Sequence, residues 1–312
     1  MAEPTNRCVA VLGEALIDRF PDADVIGGAP FNVARNLALL GAAPVMITRI
    51  GADALGDTIL ADMARFGMDQ RGLQFDPVRA TGTVTVHMSG THHRFEIGAD
   101  SAWDHLDAAE AAHAVRESAP AVTYFGTLAQ RGAVSREAIH TALGASSGLP
   151  FLDLNLRDGP DNRALSEDSL NRAEIVKVND DELDRLIAWF VQPGRPAPRW
   201  GDPALRAGVE ALVKRFELRC LTITRGAAGW ACLDRTQGWL EGASPGVAVR
   251  DTVGAGDAFA SVLLLGEVRG WPLRTTLRRA AEYASAVCGI AGAVDATSGI
   301  YAAARSAWAV DA

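Results

Sequence analysis

The chain has 312 residues, 48% of them hydrophobic, enough to bury one large core or two modest ones. A formal net charge of -8 argues against the basic surface that non-specific nucleic-acid binding requires. No run of about 20 apolar residues suggests a membrane span, and Met1 to Arg7 is too polar, with too short an apolar run behind it, for a signal peptide.

The predicted elements alternate along the chain. Cys8 to Leu12 is short, branched and apolar, the pattern of a buried strand. Glu14 to Phe20 is more polar and does not fit that pattern. Gly27 to Gly41 opens on a glycine pair and continues as an amphipathic helix, with Asn32 and Asn36 one turn apart on a shared face. Ala43 to Ile50 reads as a second core strand, and Asp57 to Phe66 as a helix with Ile59, Leu60 and Met63 on one side. Gly82 to Met88 alternates as Thr-Val-Thr-Val-His, the period of a half-exposed strand. Ala121 to Phe125, Leu149 to Leu154, Ile175 to Val178 and Leu218 to Thr224 are further core strands, with helices such as Ser135 to Leu143 and Asp180 to Trp189 between them. Gln192 to Pro203 carries four prolines and two glycines and predicts a surface loop, not a domain boundary. The alternation predicts an α/β domain over residues 1–312, with a mostly parallel sheet and helices on both faces. Cys8, Cys220, Cys232 and Cys288 are scattered among apolar neighbours and form no Cys-x-x-Cys, which reads as reduced core thiols in a cytoplasmic protein.

The run Asp251-Thr252-Val253-Gly254-Ala255-Gly256-Asp257 precedes an apolar stretch from Ala258 to Leu265, so it reads as a tight loop feeding a buried helix. The loop and first turn, Gly254 to Gly256, offer backbone N–H groups without helical partners, at the positive end of the helix dipole. That is an anion site. Asp257 on its rim could take a proton from a hydroxyl that attacks the anion. It reads equally well as a helix N-cap. Gly28 lets a ligand approach the backbone closely, and the Asn32 amide both donates and accepts, which suits sugar hydroxyls. A polar residue near a helix start is the plainer reading of Asn32. There is no Gly-x-x-x-x-Gly-Lys-Ser/Thr, and Gly13-Glu14-Ala15 follows the first strand in place of Gly-x-Gly-x-x-Gly. P-loop and dinucleotide folds are therefore excluded. The pair His92-His93 belongs to no metal-binding cluster in the sequence.

The glycine-pair and Gly-Ala-Gly-Asp segments, in that order, resemble the two signature motifs of the ribokinase-like (PfkB) family of carbohydrate kinases. Ile50-Gly51-Ala52-Asp53-Ala54-Leu55-Gly56, Asn179-Asp180-Asp181-Glu182 and Thr224-Arg225-Gly226-Ala227-Ala228-Gly229 resemble further motifs, and the likeness runs from about Val9 to Ala293. It implies a ribokinase-like fold in which a small β-sheet lid, from about 14–20 and 82–98, covers a sugar and excludes water. It implies phosphoryl transfer from ATP, with Asp257 as general base and the N–H groups of Gly254, Ala255 and Gly256 holding charge on the transferred phosphoryl. Asp18, Gly28, Asn32, Arg157 and, in the lid, Arg94 fall to the sugar. Asn179, Thr224, Gly226, Gly229, Gly254 and Gly256 fall to the nucleotide. Asn179 and Glu182 would organise Mg²⁺ through water, although the same pair also reads as a capping box. Asp251 and Thr252 stand where many members bind a monovalent cation, K⁺ here. The opening Gly13-Glu14-Ala15-Leu16-Ile17-Asp18 with Gly27 to Ala34 looks most like bacterial fructokinases. A 2-keto-3-deoxygluconate kinase, a ribokinase, a nucleoside kinase or a catalytically silent sugar-binding protein stays open. The resemblance also implies a homodimer through the lid, with Val84, Val86 and Phe95 as candidate buried residues. Ala281-Glu282-Tyr283-Ala284 lacks the Asn often found there in the family.

Overall fold

In a computed structural model describing residues 8–89, 92–157 and 162–309, the first apolar run becomes β1 (Val9–Leu12). The chain forms β2 (Leu16–Arg19) and β3 (Asp24–Gly27), enters α1 (Ala29–Leu39), and continues through β4 (Pro44–Gly51), α2 (Ala54–Arg65) and β5 (Leu73–Asp76). β6 (Gly82–Ser89) and β7 (His92–Ile97) pair antiparallel. The side chains of residues 88, 89 and 92–95 lie outside the described set. Next come α3 (Ala108–Ser118), β8 (Val122–Gly126), α4 (Ala133–Ala145), β9 (Leu149–Asp153), α5 (Asn162–Leu170), β10 (Ile175–Asn179), α6 (Asp180–Phe190) and α7 (Pro203–Arg215). β11 (Cys220–Thr224), β12 (Trp230–Asp234) and β13 (Gly238–Gly242) precede α8 (Ala255–Arg269), α9 (Leu273–Val287) and α10 (Ile300–Ala309).

The main sheet runs β13-β12-β11-β10-β9-β8-β1-β4-β5. It is parallel from β11 to β5, with β12 and β13 antiparallel at one edge. Strand alternation explains why both faces need cover. Val9 and Val11 enter an apolar layer with Leu37 of α1 and Leu264 of α8. Ala10 and Leu12 enter the opposite layer with Val115 of α3 and Ile139 of α4. Both faces of β1 are fully buried, so it reads as a continuous apolar run. From β1 the chain moves to β4 on one side and later returns through β8 on the other. The carboxyl ends of β1 and β8 therefore bracket a crevice, the usual ligand position in such sheets. No helix among the described residues is long and apolar enough to cross a membrane.

A second, four-stranded sheet runs β3-β2-β6-β7, from the segments expected to form a small sheet. Within it β2 pairs parallel with β6 and antiparallel with β3. Several elements escape a reading by periodicity. β3 has only Val25 and Ile26 as apolar residues, and β5 only Leu73 and Phe75. The β12–β13 hairpin turns on Asp234, whose Oδ1 accepts from the Thr236 and Gln237 N–H groups at 2.9 Å, and on Gly238 at φ 74. The proposed dimer residues need a correction. Val84 and Val86 are 5% and 2% exposed within the single chain, so neither is free to meet a partner. Phe95 lies outside the described side chains, as do His92 and His93.

Candidate active site

The site begins at the amino end of α8. Gly254 is the N-cap at φ 78, and a Cβ there would collide with Ala293, so only glycine fits. No side chain caps this helix, and the Ala255 N–H donates to the Thr252 carbonyl at 3.3 Å; the other N–H groups of a first turn have no intrahelical partner and suit an anion. Gly256 is different, because a Cβ there would meet only Lys177 Nζ, at 3.5 Å. Asp257 is the third residue of α8 and does not cap it. Its Oδ2 instead accepts from Asn32 Nδ2 at 2.8 Å, across 225 residues of chain. Asn32 lies in the first turn of α1, just after Gly28 at φ 100, where a Cβ would stand 2.5 Å from the Glu14 carbonyl oxygen. The two glycine segments thus deliver one carboxylate–amide pair.

Burial pushes the Asp257 carboxyl up to about 6. The Asn32 hydrogen bond opposes this, Asp153 adds to it, and Lys177 and Arg157 oppose it. Lys177 Nζ donates to Asp153 Oδ1 at 2.8 Å, with the two side chains 7% and 1% exposed. Burial works against the Lys177 charge, but Asp153 and then Glu182 outweigh it and its pKa rises. Glu14, on the loop after β1, is raised to about 7 by burial, with Asp257 adding to the rise. Its Oε2 has no hydrogen-bond partner among the described residues.

In the small sheet, on β2, Asp18 is half-buried and raised to about 6 by burial, while Arg157 and Arg35 pull it down. Its carboxylate lies so close to Gly27 that a Cβ there would overlap it. Arg157 is exposed, donates to Asn155 Oδ1 at 2.6 Å, and is near enough to hold down Asp18, Glu14 and Asp257 together. The Arg94 side chain lies outside the described residues.

On the far side of the α8 turn lies a cavity of about 410 Å³, lined by Thr224, Gly226, Gly229, Thr252 and Gly256, with Phe259 among its apolar walls. Ala281 and Ala284 also line it, where small residues leave a flat apolar wall. Tyr283 turns away and donates to Asn36 Oδ1 at 2.6 Å. Asn179 is not part of the lining. It caps α6 in a complete capping box: Glu182 N–H donates to Asn179 Oδ1 at 2.8 Å, and Asn179 N–H to Glu182 Oε2 at 2.9 Å. Glu182 Oε1 accepts from Leu156 N–H at 2.8 Å. Both carboxylate oxygens keep a free lone pair, so the pair suits a cation that retains its waters better than a directly bound one. Asp251 ties its own loop together, accepting from Val253 N–H at 3.0 Å and Gly292 N–H at 2.9 Å.

The structure gathers Asp257, Asn32, Asp18, Gly28 and Arg157 at one crevice and Thr224, Gly226 and Gly229 at the cavity beside it. Lys177, Asp153, Glu14 and Arg35 were missed by sequence reasoning. Lys177 and Asp153 carried a signal, since each is a lone charge on a core strand, Ile175–Asn179 and Leu149–Asp153.

Residues 21–298 match the family model described as pfkB family carbohydrate kinase. The chain is 30% identical over 279 residues to a fructokinase of Klebsiella pneumoniae, covering 84% of each chain. It is 30% identical over 276 residues to a fructokinase of Escherichia coli, covering 83% of each. A fructokinase of Xylella fastidiosa with bound ATP superposes with a TM-score of 0.78 at 23% identity, over 97% of this chain and 99% of the other. With a match spanning most of its length and a crevice built from both signature segments, the chain belongs to the PfkB family of carbohydrate kinases and is a sugar phosphotransferase.

Proposed function

We propose that the chain transfers the γ-phosphoryl of ATP to a hydroxyl of fructose, with Asp257 as the general base. The observation that carries this reading is the placement of Asp257. It stands between the uncapped amino end of α8 and the lid-side group of Asp18 and Arg157, held by Asn32. A carboxylate with a pKa near 6 is ionised at neutral pH and more basic than an ordinary one, which suits proton removal from a sugar hydroxyl. The N–H groups of Gly254 and Gly256 would hold charge spreading over the transferred phosphoryl, more readily than that of Ala255, which donates to the Thr252 carbonyl at 3.3 Å. The cavity beside Gly226 and Phe259 takes the nucleotide, and Asp18, Gly28, Asn32 and Arg157 take the sugar. Lys177 adds positive charge next to the anion loop, and Asp153 holds it there. Asn179 and Glu182 would hold Mg²⁺ through its waters, and the ion would neutralise phosphate charge. Asp251 and Thr252 are the candidate K⁺ position.

Fructose as acceptor is supported by the relatives named fructokinase and by a fructokinase structure of Vibrio cholerae in a form with bound fructose, ADP and calcium. Four cysteines without a disulfide fit a cytoplasmic setting. The 312 residues act as one ribokinase-like unit whose lid closes over the sugar. The test is ADP release with a sugar panel. Fructose should exceed ribose, adenosine and 2-keto-3-deoxygluconate in kcat/KM. A clear preference for another member removes the fructose assignment, and no turnover with any sugar removes the catalytic one.

A further inference from the structure

Arg35 lies on α1 one turn beyond Asn32 and is 6% exposed. Its guanidinium carbon sits 5.2 Å from the centroid of the Phe31 ring. Nη2 donates to Asn32 Oδ1 and, at 3.0 Å, to the Ile26 carbonyl of β3. Nη1 pairs with Asp62 Oδ2 of α2 at 3.4 Å, and both side chains are largely buried. Burying a guanidinium in this way is costly, and a leucine or methionine would fill the same volume without that cost. An explanation lies in the partner. A carboxamide has an acceptor end and a donor end, and its orientation is set by its neighbours. A guanidinium carries donors only, so the end of Asn32 that faces Arg35 must be oxygen. The NH₂ is left facing Asp257, where it donates at 2.8 Å.

We propose that Arg35 is a positioning residue, which locks the Asn32 amide with its NH₂ toward Asp257 and ties that orientation to the lid strand through Ile26. Ionised Asp257 also asks for the NH₂, but without Arg35 the amide is free to turn its oxygen to the protonated carboxyl and accept its proton, which favours the neutral acid. The same guanidinium grips the residue just before Gly27-Gly28, so the lid's attachment and the setting of the carboxylate share one group. The other charged or titratable groups that face Asp257 come from different elements. They are Glu14 after β1, Tyr124 on β8, Asp153 on β9, Arg157 beyond β9 and Lys177 on β10. Substitution of Arg35 leaves them in place but removes its own positive charge, which also favours ionised Asp257. Both losses raise the Asp257 pKa, and the Lys variant asks whether the fork is needed, because an ammonium keeps the charge and is donor-only but cannot hold Asn32, Ile26 and Asp62 at once.

The effect on turnover rests on the reading of Asp257 as base; the orientation of Asn32 does not. The experiment therefore reads both. Arg35→Met and Arg35→Lys are compared with wild type by pH–rate profile and by ¹³C titration of the Asp257 carboxyl, identified by its loss in Asp257→Asn. Arg35→Met should lower kcat by about 10- to 100-fold with KM for ATP within about twofold. It should also move both the acid limb and the carboxyl titration to higher pH by about one unit. Arg35→Lys should move the titration in the same direction. If Arg35→Met leaves the titration unmoved, the proposal is overturned whatever happens to turnover. If Arg35→Lys titrates as wild type, any donor-only cation suffices and the role of the guanidinium fork in tying Asn32 to Ile26 is overturned. If the titration moves in both variants while Asp257→Asn stays active, the positioning stands and the base reading falls. Should Arg35→Met fail to fold with Asp62 left unpaired, Arg35→Met/Asp62→Leu removes both charges and allows the same titration.

Discussion

Asp257→Asn should inactivate the enzyme and stabilise it, and the second effect depends on pH. The native environment raises the carboxyl from 3.8 to about 6, chiefly through burial. A group whose pKa is higher folded than unfolded binds its proton more tightly in the native state. Its favourable contribution is complete below 3.8 and is lost as pH rises through about 6. Above that, native Asp257 carries a charge that the unfolded chain would hydrate better. A difference of about two pKa units corresponds to roughly 3 kcal/mol. Residual solvent contact in the crevice reduces this to about 1–2 kcal/mol. Asparagine is isosteric, and its Oδ1 can still accept from Asn32, so the mutant recovers most of that amount at pH 8 and little at pH 4.5. For a chain of this size the gain at pH 8 is about 2–6 °C in Tm. Differential scanning calorimetry at the two pH values, without ligands, measures it. Turnover with fructose and ATP should fall by about two to four orders of magnitude. A Tm gain equal at both pH values, or a loss at pH 8, refutes the burial argument. An unchanged kcat refutes the base.

The two loop glycines should separate function from folding. Gly256→Val should abolish turnover while moving Tm by less than about 3 °C, because a Cβ there meets only Lys177 Nζ, whereas Gly254→Ala should lower Tm by several degrees through its φ of 78 and its overlap with Ala293. Thermal melts and ADP release on the same samples decide, and equal losses in both assays for Gly256→Val would return that glycine to a structural role. We also expect a homodimer through the lid, with contacts shifted from Val84 and Val86 to Phe20 and Val25, which are 38% and 43% exposed. Light scattering of wild type and Val25→Glu at tens of micromolar tests it, and a monomeric wild type removes the dimer.

The parallel core was legible because its strands are buried on both faces and therefore nearly all apolar. β1, β4 and β8 to β11 lie within two residues of their expected bounds. The edges were not legible for the converse reason. β3, β5 and β13 are partly exposed, and too few apolar residues mark them. At the site, backbone features such as Gly254 and Gly28 were visible, since a glycine in a motif signals a conformation the sequence must reserve. Asp257 was ambiguous between cap and base because both occupy a helix start. The structure removes the cap, since Gly254 is the N-cap and Asp257 the third helical residue, and adds an Asn32 contact that no local pattern encodes. Arg35 was invisible for a related reason. On a helix, an arginine normally reads as a solvated residue, and nothing local shows that this one points inward.

The crevice sets several carboxylates against few cations. Glu14, Asp153, Glu182 and Asp257 lie near Lys177 and Arg157, and burial raises Glu14, Glu182 and Asp257. Such an arrangement is poor for stability, because each ionised carboxylate weakens the case for ionising the next. It is well suited to phosphoryl transfer. Lys177 is fixed by Asp153 and stands close to the anion loop, so its charge is already in place when a polyphosphate arrives. The arriving ligand brings its own negative charge, which raises the affinity of neighbouring carboxylates for protons and, on the proposed reading, would strengthen Asp257 as a base when a donor phosphate is present. On the proposed reading, wasteful hydrolysis is limited by the lid, which would close over the sugar and exclude water from the phosphoryl group.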